Sequence, residues 1–213
     1  MSALLTPARA EDTGGTLLAE ARYVAEQLLS EMRPHCERSL IAGSVRREKA
    51  AVKDVEIVAV PRCTQAQRVS TDLFAEPTIE SRNHLHEWAL HESGLHWIKP
   101  GTREIVSWPP KIDGRYWRAV VPGVGLKLDL FLPRPDSFGA QLLIRTGCAE
   151  FSQAVMIHAK HIGLRFADGA LWHGEELLPT PDEETVFRLL RLDPVPPCER
   201  TSKNALRAAR GKA

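Results

Sequence analysis

The chain has no apolar run long enough to cross a membrane and no signal-peptide pattern at its start. A membrane-spanning helix needs about 20 consecutive apolar residues, so the first absence excludes that class. With the second, a cytoplasmic location is the expectation. Cysteine is scarce: Cys36, Cys63, Cys148 and Cys198 stand far apart with no C-x-x-C pair. That rules out a disulfide framework or a zinc ribbon and fits reduced thiols of a cytosolic protein. An excess of one charge sign is missing too, with 28 Lys and Arg against 27 Asp and Glu and a net charge of +1. The chain as a whole is therefore not an obvious polyanion binder. There is no internal repeat and no low-complexity segment. What remains is 213 residues, 43% apolar and 26% charged, the composition of an ordinary globular protein with room for a proper core. A monomer is expected.

Hydrophobic spacing organises the chain. Residues 1–15 read as a loose lead-in. Leu17, Leu18, Ala21, Val24, Ala25, Leu28, Leu29 and Met32 recur at three- and four-residue spacing, an amphipathic helix ending near Pro34. Strands are expected over 39–42, 55–60, 96–98, 104–108, 116–121 and 127–132, with a helix over 80–92. Pro133 and Pro135 mark a boundary. Beyond it, helices are expected over 138–144, 151–161 and 183–190, and a hairpin turns at Asp168-Gly169. The layout is an α/β part over 16–135, a small α-rich part over 136–200 and a basic tail over 201–213. Lys203 and Arg207 in that tail are candidates to touch a nucleic-acid backbone.

The chemistry is concentrated in three blocks. Ile41-Ala42-Gly43-Ser44-Val45-Arg46-Arg47 is followed by Asp54-Val55-Glu56-Ile57, and much later by Lys127-Leu128-Asp129-Leu130-Phe131. Acid alternates with apolar residue, so Asp54 and Glu56 project from one face of a strand and Asp129 from a second strand of the same character. Taken singly, a D-x-E marks a solvated face and Gly-Ser a turn. Together, three carboxylates from two adjacent strands form a site for hard cations such as Mg²⁺. The Gly-Ser turn has the makings of a phosphate cradle, with two arginines beside it. His84, His86 and His91 cluster on one expected helix, but His86 points away from the other two. Trp88, Trp97, Trp108, Trp117 and Trp172 are scattered and are expected mainly in the core.

These blocks resemble the nucleotidyltransferase superfamily, and specifically the DNA polymerase beta-like family X. A further block, Arg145-Thr146-Gly147-Cys148-Ala149-Glu150-Phe151 running to Gly169-Ala170-Leu171, and the ending from Asp182-Glu183-Glu184 to Pro196-Pro197-Cys198-Glu199-Arg200, carry the family-specific part of the likeness. The resemblance implies an α+β palm domain, with a mixed or antiparallel sheet flanked by helices, and a small domain that closes over the incoming nucleotide. It implies two Mg²⁺ ions, replaceable by Mn²⁺, on Asp54, Glu56 and Asp129. It assigns Gly43, Ser44, Arg47, Arg145, Thr146 and Gly147 to the nucleoside triphosphate; Lys127, two residues before Asp129 on the same strand face, is a candidate for primer phosphate. The implied activity is nucleotidyl transfer to the 3′-hydroxyl of a DNA primer or gapped DNA.

The chain departs from the family in using Glu56 where an Asp is usual and Ile144-Arg145 where aromatic residues are usual. It also has no room for the family's amino-terminal lyase and helical DNA-binding domains. Template-independent, RNA-end or small-molecule transfer stays open as an alternative, as does a non-catalytic nucleic-acid-binding module.

Overall fold

Apolar residues of one helical stripe begin the core. In the computed structural model, which describes residues 15–68, 78–108 and 111–210, strand β1 (Thr16–Leu17) leads directly into helix α1 (Leu18–Met32). Ala21, Ala25, Leu28, Leu29 and Met32 of α1 are buried at helical spacing. Pro34 stops the helix in a short 3₁₀ turn. Strand β2 (Cys36–Ile41), the single-turn helix α2 (Gly43–Arg46), β3 (Ala51–Val52) and β4 (Asp54–Pro61) follow.

Next come the paired strands β5 (Cys63–Arg68) and β6 (Thr78–Asn83), then helix α3 (His84–His91). The helix expected over 80–92 is thus shared between a strand and a shorter helix. Asn83 decides where it starts: its side chain caps α3 by accepting from His86 N at 3.0 Å. Strands β7 (His96–Ile98), β8 (Ile105–Val106), β9 (Tyr116–Val120) and β10 (Lys127–Phe131) complete a six-stranded mixed sheet in the order β2-β4-β10-β9-β7-β8. Only β4 and β10 run parallel.

One face of this sheet packs on α1 and α3 through Val55, Ile57, Leu128 and Leu130, together with Trp88, Trp97 and Trp117. The other face changes character along its length. At the start of β4 and β10 it carries Asp54, Glu56, Lys127 and Asp129; further on it carries Val58, Val60 and Phe131, all buried. The apolar half is covered by Phe138 and Leu142 of helix α4 (Phe138–Thr146). One end of the sheet face is therefore sealed and the carboxylate end left open.

The second part has its own core. Helix α5 (Ala149–His161), the three-stranded sheet β11 (Leu164–Ala167), β12 (Ala170–His173) and β13 (Glu176–Leu178), and helix α6 (Glu183–Leu189) gather around Leu143, Phe151, Val155, Leu171 and Phe187. The β11–β12 turn places Asp168 at φ +51° and Gly169 at φ +75°, the left-handed pair that a two-residue hairpin favours. Residues read as a basic tail form helix α7 (Lys203–Arg210), whose Leu206 and Ala209 are buried in the same core. Lys203 and Arg207 stay exposed on it.

Candidate active site

Register brings the carboxylates together. In the parallel β4–β10 pair, Asp129 lies opposite Glu56 and Lys127 opposite Asp54. In the antiparallel β9–β10 pair, Arg118 lies opposite Asp129 and Tyr116 opposite Phe131. Glu56, Asp129 and Arg118 thus form one row across three strands.

Above this row sits the α2 turn, tied down by Ala42 N donating to Glu56 O at 2.8 Å. Gly43 adopts φ +62°, and a Cβ on it would lie 1.8 Å from Glu56 Oε2. Only glycine leaves room for the carboxylate there. Ser44 is 9% exposed, and its hydroxyl has no hydrogen-bond partner among the described residues. A buried hydroxyl without a partner is unfavourable, and it marks the place where a polar ligand would fit.

The electrostatics are those of crowded acids. Burial, then repulsion from Asp54 and Asp129, pushes the Glu56 carboxyl up to about 7, against the pull of Arg47 and Arg145. Burial and then Asp129 raise Asp54 as well. Asp129, only 6% exposed, has taken a different partner. Arg118 donates to it twice, Nε to Oδ1 at 2.5 Å and Nη2 to Oδ2 at 2.7 Å, and the Tyr116 hydroxyl donates to Oδ1 at 2.8 Å. These bonds to Asp129 lift Arg118 above its usual range. Burial and then the same carboxylate lift Tyr116.

Among the described residues no three His, Cys, Asp or Glu side chains are drawn into a ready-made metal cluster. Both oxygens of Asp129 are taken up by Arg118. The donor set nevertheless fits a hard divalent cation. It offers only oxygen ligands, and the side-chain carboxylates of Asp54 and Glu56 have no hydrogen-bond or ion-pair partner among the described residues. Burial raises both, repulsion from the neighbouring acids adds to it, and a cation would relieve that repulsion. His84 bonds to Thr64 Oγ1 and the His86 ring stands edge-on to Trp117, so that histidine group serves packing.

The two arginines after the turn have separate partners. Arg47 Nη1 donates to the Thr146 carbonyl at 2.5 Å. Arg46 donates from Nη1 to Thr146 Oγ1 at 2.8 Å and from both Nη atoms to Glu183, at 2.9 and 2.7 Å. Arg200, 2% exposed, grips the same Glu183 carboxylate from the other side at 2.5 and 3.3 Å. Burial alone would raise Glu183, but the two guanidinium groups outweigh it and hold it below the usual carboxylate range. Asp182 caps α6 by accepting from Thr185 N at 2.7 Å.

Arg145 lies exposed at the end of α4, its guanidinium 4.0 Å from the Phe131 ring centre. Gly147 has an ordinary φ of −61°. It is small because a Cβ would come within 2.6 Å of Phe151 and Ser152. Lys127 is exposed in the Asp54 row.

Gly43, Ser44, Asp54, Glu56 and Asp129 therefore converge. Arg47, Arg145 and Thr146 sit where the second part meets them, and Lys203 and Arg207 lie on α7, packed against α5. Arg118, Tyr116, Arg46, Glu183 and Arg200 were not singled out for these contacts by sequence reasoning. Tyr116 and Arg118, two apart on a strand, carried the only local hint, a shared face with the partner strand's acid.

Residues 141–201 match the family model for the DNA polymerase beta thumb. The match supports a relation to the DNA polymerase beta-like family X. It runs from Gln141 on α4 to Thr201, so it takes in Arg145, Thr146, Gly147, Glu183 and Arg200, and leaves the carboxylate blocks outside it. No curated protein matches the chain. In this frame the Arg46–Glu183–Arg200 cluster is the junction by which the α2 turn holds the thumb segment. No helix among the described residues is long and apolar enough to cross a membrane.

Proposed function

We propose that the protein is a nucleotidyltransferase of the family X polymerase kind, joining a nucleoside triphosphate to the 3′-hydroxyl of a DNA primer or gap. One observation carries the reading: Glu56 and Asp129 stand opposite each other on adjacent strands, with Asp54 on the same face, under an α2 turn that Arg46 and Arg47 tie to a segment matching a polymerase thumb.

In the reaction the 3′-oxygen forms a bond to the α-phosphorus while the α–β bridging bond breaks. Pyrophosphate leaves and the hydroxyl proton is lost. Such transfer depends on positioning and charge neutralisation more than on covalent help. Mg²⁺ held by Asp54, Glu56 and Asp129, two ions with Mn²⁺ as substitute, would supply that neutralisation and lower the pKa of the hydroxyl. The Ser44 hydroxyl and Arg47 are the candidate contacts to triphosphate oxygens; the exposed Arg145 and the Thr146-Gly147 step are the candidates for the nucleotide's sugar side. Asp129 is the candidate acceptor of the hydroxyl proton. To act as ligand or base it must exchange at least one of its bonds to Arg118 and Tyr116. Lys127, Lys203 and Arg207 are the candidate contacts to the DNA backbone.

The test is primer extension on single-stranded, recessed and one-nucleotide-gapped DNA, with dNTPs and NTPs in separate reactions and Asp129→Asn as control. Extension that needs a divalent metal and vanishes in the variant supports the proposal. Extension only with NTPs or only on RNA ends would favour the transferase alternative, for which the cationic Arg145 beside the sugar position is the motivating feature. No pyrophosphate release on any acceptor would leave a nucleic-acid-binding module.

A further inference from the structure

Beyond the Tyr116–Phe131 pair, away from Gly43 and Ser44, a cleft of about 440 Å³ opens between the sheet and the β11–β12 hairpin. Its volume lies in the range of small-molecule sites. Three arginines line it, Arg115, Arg134 and Arg145, all exposed and none with a carboxylate partner among the described residues. Asp168 is the one carboxylate on its lining, and Arg115 reaches that residue only at its carbonyl, Nη1 to O at 3.3 Å. The Arg134 side chain has no hydrogen-bond or ion-pair partner among the described residues.

Two partly exposed aromatic rings, Tyr116 and Trp172, stand on the walls. Gln141 is 8% exposed, yet its amide has no hydrogen-bond partner among the described residues. It sits under the hairpin tip, where a Cβ on Gly169 would come within 2.4 Å of Gln141 Oε1, so glycine at the tip keeps the amide accessible.

Each feature asks for a different part of one ligand. Guanidinium groups without a carboxylate partner fit a phosphate. Half-open aromatic faces fit a planar base. A side-chain amide on the cleft lining, with a donor and an acceptor to offer, fits the edge of that base. We propose that this cleft is a second nucleotide site, which takes a 5′-phosphorylated nucleotide with its base beside Gln141 and its phosphate on Arg115 and Arg134. It shares only Arg145 with the triphosphate position, so occupancy here is measurable without any transfer reaction. The same chemistry is offered by the 5′-phosphorylated end of a nucleic-acid strand and by a free mononucleotide.

Fluorescence anisotropy of the full chain in EDTA, with no triphosphate present, tests it. A short oligonucleotide is labelled at its 3′ end and used with a 5′-phosphate or a 5′-hydroxyl. The phosphorylated strand should bind about tenfold tighter or better. Exchanging both exposed arginines, Arg115→Ala with Arg134→Ala, should remove the difference, and Gln141→Leu should weaken binding of both strands. Circular dichroism checks that each variant is folded.

A nucleoside 5′-monophosphate that competes as strongly as the strand end supports the site and identifies the free nucleotide as occupant. Weak competition by it, with the phosphorylated strand still preferred, supports the strand end. Equal binding of the two strands overturns the proposal. So does a preference that survives in the double variant, or competition by inorganic phosphate as strong as by the mononucleotide. A failure of primer extension leaves these outcomes untouched.

Discussion

Arg118 holds Asp129 by both carboxylate oxygens, across one rung of the β9–β10 ladder. The acid expected to serve a cation is thereby neutralised by the protein itself. Asp129 is nearly buried while Arg118 is partly exposed, so the pair is worth less than a fully buried one. Arg118→Ala should lower stability in EDTA by about 1–2 kcal/mol, which is roughly 2–8 °C in Tm for a chain of this size. Mg²⁺ should then stabilise the variant more than the wild type, since Asp129 is released. Thermal unfolding with and without metal measures both. Equal metal responses would sink the exchange argument.

Asp129→Asn should cut transfer at least 100-fold while leaving the fold in place. A carboxylate lost beside the nucleophile removes its activation, whereas Asp54 and Glu56 keep their side of the site. Single-turnover extension gives the rate, and nucleotide titration should show affinity changed far less than rate. Activity within about tenfold of wild type would mean the acid is misassigned.

Glu56 makes a pH prediction. Its folded pKa of about 7 lies above the usual 4.5. A raised carboxyl contributes stability that is present below the unfolded value and lost as pH rises through the folded one. The metal-free protein should therefore lose, from this group, on the order of 2 kcal/mol between pH 4.5 and 8. Glu56→Gln should abolish that loss, unfolding later than wild type at pH 8 but not at pH 4.5. Mg²⁺ at pH 8 should stabilise the wild type and not the variant.

Glu183 works in the opposite direction. Its carboxyl is held below the usual range by Arg46 and Arg200 despite burial. Stability from it is present above the unfolded value near 4.5 and is lost as pH falls through the folded one. Glu183→Ala leaves Arg200 buried without its partner and should cost about 3–5 kcal/mol at neutral pH. Denaturant titration at pH 7 and pH 3 measures this, with the difference between variant and wild type shrinking at the lower pH.

Helix α7 separates two effects that a truncation would confuse. Removing it uncovers the core that buries Leu206 and Ala209, so Leu206→Ala should destabilise by about 2–4 kcal/mol. Lys203→Gln with Arg207→Gln should leave stability nearly unchanged, because both are exposed. If they contact phosphates, the slope of log affinity against log salt should shrink by roughly 0.7–0.9 per contact. An unchanged slope would make α7 a packing element only.

Sequence by itself determined what depends on neighbours along the chain. The alternation in Asp54-Val55-Glu56-Ile57 and Lys127-Leu128-Asp129-Leu130 assigned faces to two strands, because side chains alternate with a period of two. The spacing of Ala21, Ala25, Leu28 and Met32 set the buried stripe of α1, and Asp168-Gly169 set a turn that needs positive φ. It did not determine that residues 78–83 pair with β5 instead of extending α3, since that pairing depends on a partner strand and on the Asn83 cap. Nor did it determine that Arg46 and not Arg47 meets Glu183, 137 residues away, or that Arg118 takes the oxygens of Asp129. Those contacts follow from strand register and from the docking of the thumb segment on α2. Periodicity says which face a side chain shares, and only packing decides which distant partner waits on that face.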